Sequence, residues 1–218
     1  MHQVLYTAKA GSKSNVNWGA FSANSQLAYV DNGPDIKALN VSTGQVEYSD
    51  TVGSCPGFIT TSTDGDVYVN LACGGQIYPT PGENGVAVLS YNLEPLKDVG
   101  EPGVAIENLQ LSQNLASLYV TSQSGFNTMS TASNSFSTEI SGLPSFGPVN
   151  SVIDGDIAYF SQRSNQFDGS MTIYNLSSSS PIAMIDNIGD SPDGIGFDFA
   201  TGDISAICVP NPQPAAYI

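Results

Sequence analysis

Basic residues are scarce in this chain of 218 residues, and their scarcity excludes several classes of partner. Five Lys and Arg stand against 20 Asp and Glu, which gives a formal net charge of −15 at pH 7. Proteins that bind nucleic acid neutralise phosphates with Lys and Arg, and anionic membranes attract basic segments. We therefore expect no nucleic acid and no membrane surface as partner. The acidity is typical of a soluble secreted or surface protein, and cation binding is the alternative explanation.

Groups suited to catalysis are also few. The only histidine is His2, which a Ser-His-Asp or Cys-His mechanism would have to use. We expect a solvated terminal side chain instead. No phosphate-binding loop, zinc spacing or nucleophile elbow is present. The sequence therefore leaves open whether the protein is an enzyme.

Long apolar runs are missing, and no stretch reaches the roughly 20 residues that a transmembrane helix needs. The opening MHQVLYTAKAG has no basic region followed by an apolar core, so we expect no signal peptide within this chain. Charged residues make up only 11% of the sequence, but ten Tyr and nine Phe argue against disorder. One folded domain fits this length.

A repeated pattern organises the chain: a turn is followed by a strand with a central aromatic residue. The instances are SQLAYVDN, GDVYVNLA, ASLYVTSQ, GDIAYFSQ and GDISAICV. Their central residues are Tyr29, Tyr68, Tyr119 and Tyr159, with Ala206 or Ile207 in the fifth. The spacings of 39, 51 and 40 residues between the four tyrosines suit a four-stranded propeller blade.

Each repeat divides into four strands separated by turn sequences such as STDGD, VSTGQ and ATGD. In the third repeat, for example, the third strand is predicted at TMSTASN, residues 128–134. No segment has helical periodicity. The pattern predicts an all-β domain, a five-bladed β-propeller. Its blades would cover residues 15–53, 54–103, 104–147, 148–190, and 191–218 together with 1–11.

The two ends of the chain predict how the ring closes. The C-terminal PAAYI would be the third strand of the last blade, and the N-terminal QVLYTAKAG resembles the fourth strand QVEYSDTVG. We therefore expect the N-terminal strand to complete the C-terminal blade, which removes an exposed sheet edge. The alternative is that the chain is a fragment of a larger propeller.

The segment SANSQLAYVDN, with DIKALNVSTGQVEYSDTVGSCPGFITTSTDGDVYV after it, resembles the YVTN-type propeller repeat. The resemblance covers nearly the whole chain. It implies a propeller fold and no particular activity, because propellers host many unrelated functions.

Cys55 and Cys73 flank a predicted hairpin in the second blade. Paired residues of an antiparallel hairpin have position numbers that add up to a constant. The value is 128 for Thr61 with Val67, for Ile59 with Val69 and for Gly57 with Leu71. Cys55 and Cys73 give the same value, so they would face each other at a separation that suits a disulfide. Two unpaired thiols are the alternative.

A disulfide would indicate an oxidising compartment, and we expect an extracellular or cell-surface protein. Two N-x-S sequons agree with this location, at Asn40 and Asn175. Both lie near predicted turns, where a glycan would be exposed. The third cysteine, Cys208, is expected to be a small buried apolar residue.

A ring of oxygen-bearing side chains is the strongest candidate for a chemical site. The innermost strands of a propeller converge on its channel, and aligning their starts places five residues at one position: Asn17, Gly57, Glu107, Asn150 and Asp193. Four of the five carry side-chain oxygens, which suit a hard cation such as Ca²⁺ or another divalent metal. Residues of these types also cap tight turns, so a purely structural role is the alternative.

The segment SPDGIGFDFATGD resembles the SMP-30/gluconolactonase family. That family holds a divalent metal with one Glu, two Asn and one Asp for lactone hydrolysis, on six blades. By this resemblance Asp193 would be a metal ligand and the catalytic base. Glu107, Asn150 and Asn17 match the family's ligands only by their place in the repeat.

Trp18 begins the first blade and would either stack on a sugar at the channel mouth or pack between blades. We expect a secreted or surface propeller that acts as a ligand-binding or scaffold module for a small molecule, a carbohydrate or a protein. A metal-dependent, lactonase-like hydrolase is the alternative function. A subunit of an extracellular assembly is the third.

Overall fold

The computed structural model describes residues 19–53, 56–71, 85–100, 106–112, 114–122, 125–140, 148–163, 169–189, 192–198 and 200–208. All regular structure in these ranges is β, which confirms the predicted all-β class. No helix in them could cross a membrane. The chain divides into two compact units, residues 1–120 with 128–137 and residues 121–127 with 138–218.

The first two sheets belong to the first unit, and each has four antiparallel strands in chain order. The strands of the first sheet are β1 (Gly19–Phe21), β2 (Leu27–Asn32), β3 (Asp35–Asn40) and β4 (Val46–Thr51). Those of the second sheet are β5 (Ile59–Thr61), β6 (Val67–Asn70), β7 (Gly85–Leu89) and β8 (Pro95–Gly100).

The third and fourth sheets repeat this order. The third contains β9 (Ile106–Leu111), β10 (Ser117–Ser122), β11 (Gly125–Ser130) and β12 (Ser135–Ile140). The fourth contains β13 (Pro148–Asp154), β14 (Ile157–Arg163), β15 (Gly169–Asn175) and β16 (Ser180–Gly189). The last two described strands, β17 (Pro192–Asp198) and β18 (Asp203–Cys208), form a hairpin.

Small antiparallel sheets in chain order are consistent with a propeller-like fold. The two segments predicted to close the ring, PAAYI and QVLYTAKAG, lie outside the described residues. The five-bladed, closed form therefore stays a prediction.

One predicted strand, at residues 128–134, starts three residues and ends four residues later than the observed one. The third strand of the third sheet is Gly125–Ser130, whereas residues 131–134 form the turn that follows it. Phe126 and Met129 are fully buried and fix the strand. Asn134 adopts a left-handed φ of 46°, which suits a turn and not a strand.

Serine-initiated turns recur along the first unit and explain its repeat. In each, the first Ser donates its N–H to the carbonyl that closes the turn, and its Oγ accepts the returning N–H. The first residues are Ser22, Ser62, Ser90 and Ser112. The residue three positions later is left-handed: Ser25 (φ 56°), Gly65 (98°), Leu93 (67°) and Leu115 (59°). These local bonds define where one strand ends and the next begins.

Apolar side chains fill the space between consecutive sheets of the first unit. Between the first and second sheets, Tyr29 and Ile36 pack with Val67 and Leu89. Between the second and third, Tyr68 packs with Leu118. Only two of the four aromatic repeat residues are fully buried, because Tyr119 and Tyr159 are half-buried between buried neighbours. Successive residues of a strand face opposite sides of the sheet, so a tyrosine that is shifted by one position along its strand lies on the opposite face.

Candidate functional site: a tyrosine-lined groove

A groove of about 790 Å³ lies between the first and second sheets. Its walls are the turn 22–26, the turn 61–65 and the turn that begins at Asn40, with Glu47, Tyr48 and Tyr91 beside them. Sites for small molecules typically enclose about 300–1,000 Å³. The groove is therefore of a size that suits a ligand.

Tyrosines form the aromatic part of the groove. The rings of Tyr48 and Tyr91 meet edge to face, with centroids 6.2 Å apart and planes at 89°. Tyr91 is 57% exposed. Exposed aromatic rings that also carry a polar tip are enriched at binding surfaces.

Tyr29 lies beneath this pair and ties the two sheets together. Its side chain is 1% exposed, and its hydroxyl donates to the backbone carbonyl of Tyr91 over 2.9 Å. Burial raises the pKa of the Tyr29 phenol, and the neighbouring Tyr48 and Tyr91 raise it further. The phenol therefore stays protonated, as a hydrogen-bond donor, at neutral pH.

Amide side chains form a polar wall on the turn of the first sheet. Ser22 Oγ donates to Asn24 Oδ1 over 2.8 Å, and Asn24 Nδ2 donates to Gln26 Oε1 over 3.3 Å. The Gln26 amide oxygen thus accepts one hydrogen bond within the turn, and its Nε2 group is available to a ligand. The wall is held in place before a ligand arrives.

A carboxylate faces the same groove from β4. Glu47 is the extra residue of a β-bulge, since Ala38 pairs with Tyr48 and Leu39 pairs with Val46. Bulges change the direction of a side chain and are common beside binding sites. Here Glu47 Oε1 accepts from Asn40 Nδ2 over 2.6 Å, which leaves Oε2 available to a ligand.

Asn40 is fixed as well, and it is one of the two predicted glycosylation sites. Its Oδ1 accepts from the backbone N–H groups of Ser42 and Thr43, over 2.9 and 3.1 Å, and from Ser42 Oγ over 2.6 Å. The other sequon residue, Asn175, accepts from the N–H of Ser178 over 2.8 Å. Both are the last residue of a strand, β3 and β15, directly before a turn, which agrees with their predicted position near turns, and their glycosylation stays a prediction.

The predicted metal ring falls mostly on parts of the chain that are not described. Asn17 and Trp18 lie outside the described residues, and so do the side chains of Glu107 in β9 and Asp193 in β17. Asn150 is described, and its Oδ1 accepts from the N–H of Ser151 over 2.8 Å. In the described ranges no three Asp, Glu, His or Cys side chains are grouped for a metal. The ring stays a prediction.

Strand register nevertheless revises one part of the ring's alignment. In β17 the extra residue of a bulge is Asp193, because Pro192 pairs with Cys208 and Gly194 with Ile207. In β13 the corresponding extra residue is Val149, which precedes Asn150. Asn150 is therefore equivalent to Gly194, one position away from Asp193.

The cysteine prediction is supported in its register and untested in its bond. Ile59 pairs with Val69 and Thr61 with Val67, as the constant of 128 predicts. Cys55 and Cys73 lie outside the described residues. Cys208 is half-buried, and its thiol donates to the Ile188 carbonyl over 3.5 Å.

Sequence reasoning missed the groove. Its aromatic residues occupy different places in the repeat, because Tyr48 lies in β4 of the first sheet and Tyr91 in the turn between β7 and β8 of the second. The available signal was the recurring turn that begins with Ser, then any residue, then Asn or Asp, at 22–24 and 62–64. These turns lie side by side once consecutive sheets pack.

Comparisons with known proteins bear on the fold alone. No protein-family model and no curated protein matches the chain. Among 937 similar chains of solved structures is hydrazine synthase of Kuenenia stuttgartiensis, with 13% sequence identity and a TM-score of 0.73. The match covers 97% of this chain and 62% of that one, so this chain spans less than two thirds of its length. A likeness at this identity shows a shared fold and carries no function across.

Proposed function

We propose that the protein is a ligand-binding β-propeller module and that the groove between its first two sheets is the binding site. One observation carries the proposal. A largely exposed tyrosine, Tyr91, stands among amide and carboxylate groups that hydrogen bonds already hold in position. Groups ordered in advance lose little freedom on binding, which favours affinity.

The proposal includes a closed ring of five blades. Four four-stranded sheets and the first hairpin of a fifth support it. The third strand of the fifth blade would be PAAYI, and the fourth would be QVLYTAKAG, which resembles the fourth strand QVEYSDTVG. A closed ring would hold the packed sheets rigidly, and sites on rigid elements are better defined than sites on loops. We place the protein outside the cell, in line with the predicted disulfide and sequons.

An NMR screen with a library of small fragments tests the binding site. We expect the fragments that bind to shift the amide signals of turns 22–26 and 61–65 together, because both turns line the groove. Tyr91→Ala should abolish these shifts. Leu96→Ala should preserve them, because Leu96 is equally exposed, at 54%, and lies on the same sheet but outside the groove.

Two results would contradict the proposal. One is a set of fragment-induced shifts that cluster elsewhere on the chain. The other is an equal response from Tyr91→Ala and Leu96→Ala, which would show that the tyrosine takes no part.

A further inference from the structure

We infer that the ligand of the groove is a neutral carbohydrate, an inference that rests on the proposed function. The charge of the groove limits its ligand. Among the described residues that line it are the carboxylates of Glu47 and Asp64, whereas neither Lys37 nor Lys97, the described lysines, is among them. Carboxylates repel anions, so we expect a ligand without phosphate, sulfate or carboxylate groups.

The groove offers a mixture of hydrogen-bond donors and acceptors. The Glu47 carboxylate offers acceptors, since only Oε1 is committed, to Asn40 Nδ2. The amide of Gln26 offers donors, since its Oε1 already accepts from Asn24. A hydroxyl both donates and accepts, so neighbouring hydroxyls of a sugar ring can satisfy both kinds of group at once. A purely apolar ligand would leave them unsatisfied.

The arrangement of the aromatic rings favours a sugar over an organic cation. Cages for ammonium groups surround the charge with several aromatic faces. In this groove the edge of one ring meets the face of the other, at 89° between Tyr48 and Tyr91. The edge of one ring therefore covers part of the aromatic face of the other, which a cage would need to be open toward the cation. The same arrangement leaves an exposed ring, Tyr91, against which the apolar C–H face of a sugar can pack.

The groups that would contact the sugar are held in position by buried parts of the protein. The buried hydroxyl of Tyr29 holds the backbone of Tyr91, and the bulge in β4 holds Glu47. Sugars lose many hydrogen bonds to water on binding. A site that recognises them therefore needs partners that are already in place.

Titration with a defined panel tests the inference. The neutral probes are cellohexaose, xylohexaose, mannohexaose and chitohexaose, and spermidine is the cationic probe. We expect one or more of the sugars to shift the signals of turns 22–26 and 61–65. Tyr91→Ala should lower the affinity for that sugar by about tenfold or more. Leu96→Ala should leave its affinity within about twofold.

A charge-neutralising variant sharpens the test. Glu47→Gln keeps an oxygen to accept from Asn40. The second carboxylate oxygen becomes an amide donor, to which a sugar hydroxyl can still bond. Sugar binding should therefore weaken by no more than several-fold, and it should stay constant between about 0.05 and 0.5 M NaCl, because a neutral ligand is not screened. Spermidine binding would be weakened by Glu47→Gln and also by high salt.

The outcomes separate this inference from the function on which it rests. Spermidine bound in the groove with no sugar bound would overturn the carbohydrate. Fragments that cluster in the groove while all four sugars fail would also overturn it and would leave the ligand-binding function standing. Fragments that never enter the groove would overturn both.

Discussion

Removing one buried hydroxyl should reveal how the groove is held together. Tyr29 is 1% exposed, and its hydroxyl donates to the carbonyl of Tyr91 on the neighbouring sheet over 2.9 Å. Tyr29→Phe keeps the ring and its packing and deletes only this bond. A buried hydrogen bond between neutral groups contributes about 1 kcal/mol. In a chain of 218 residues that corresponds to a fall in Tm of about 2–4 °C.

The same variant should weaken ligand binding, because Tyr91 loses the bond that positions its backbone. Urea unfolding would measure stability, and titration with a groove ligand would measure affinity. Tyr68→Phe is the matched control. Tyr68 occupies the same place in the second repeat and is equally buried, but it packs toward the third sheet and does not line the groove.

We expect Tyr29→Phe to reduce affinity several-fold, which is about 1 kcal/mol, and Tyr68→Phe to leave it unchanged. An equal loss of affinity in the two variants would refute the proposed link between the sheets. So would a Tyr29→Phe protein as stable as the parent.

Three further predictions concern the turns and the tyrosines. Ser25 has a left-handed φ of 56°, so Ser25→Gly should raise the free energy of unfolding by about 0.5–1 kcal/mol. Ala23→Gly in the same turn should lower it by a similar amount. Urea denaturation of both variants measures the two changes. Burial, followed by the charges of Asp66 and Asp64, raises the pKa of Tyr68 to about 12, against 10.0 for an ordinary phenol. The free energy of unfolding that this phenol contributes should thus be fully present below pH 10 and be lost as the pH rises to 12. Tyrosinate absorbance should show one tyrosine that titrates late, and Tyr68→Phe should remove it. Asn40→Ala deletes the hydrogen bonds that this side chain makes with its turn and with Glu47. It should lower the free energy of unfolding, followed by thermal unfolding, by about 1–2 kcal/mol. A variant as stable as the parent would contradict this role of Asn40.

The parts of the fold that could be predicted are those that local chemistry decides. Repeated strands with a central aromatic residue and turn sequences such as STDGD predicted four-stranded antiparallel units, and the turn after Thr61 predicted the register of Ile59 with Val69. The prediction failed at residues 128–134, where Ser and Thr fill both the strand and the turn, so composition gives no contrast. Burial of Phe126, a tertiary effect, decides where that strand lies.

The groove could not be predicted, because no local pattern defines it. Tyr29 and Tyr91 are 62 residues apart in the chain, and they meet only because consecutive sheets pack. The predicted channel ring met the opposite difficulty. Its alignment used the predicted starts of the innermost strands, and bulges in β13 and β17 change which positions correspond.

A crystal structure of the protein soaked with the tightest-binding oligosaccharide of the panel tests the central claim most directly. The account predicts sugar density in the groove, with a ring packed on Tyr91 and hydroxyls bonded to Gln26 and Glu47. Density at any other place on the chain, with the groove empty, would contradict it.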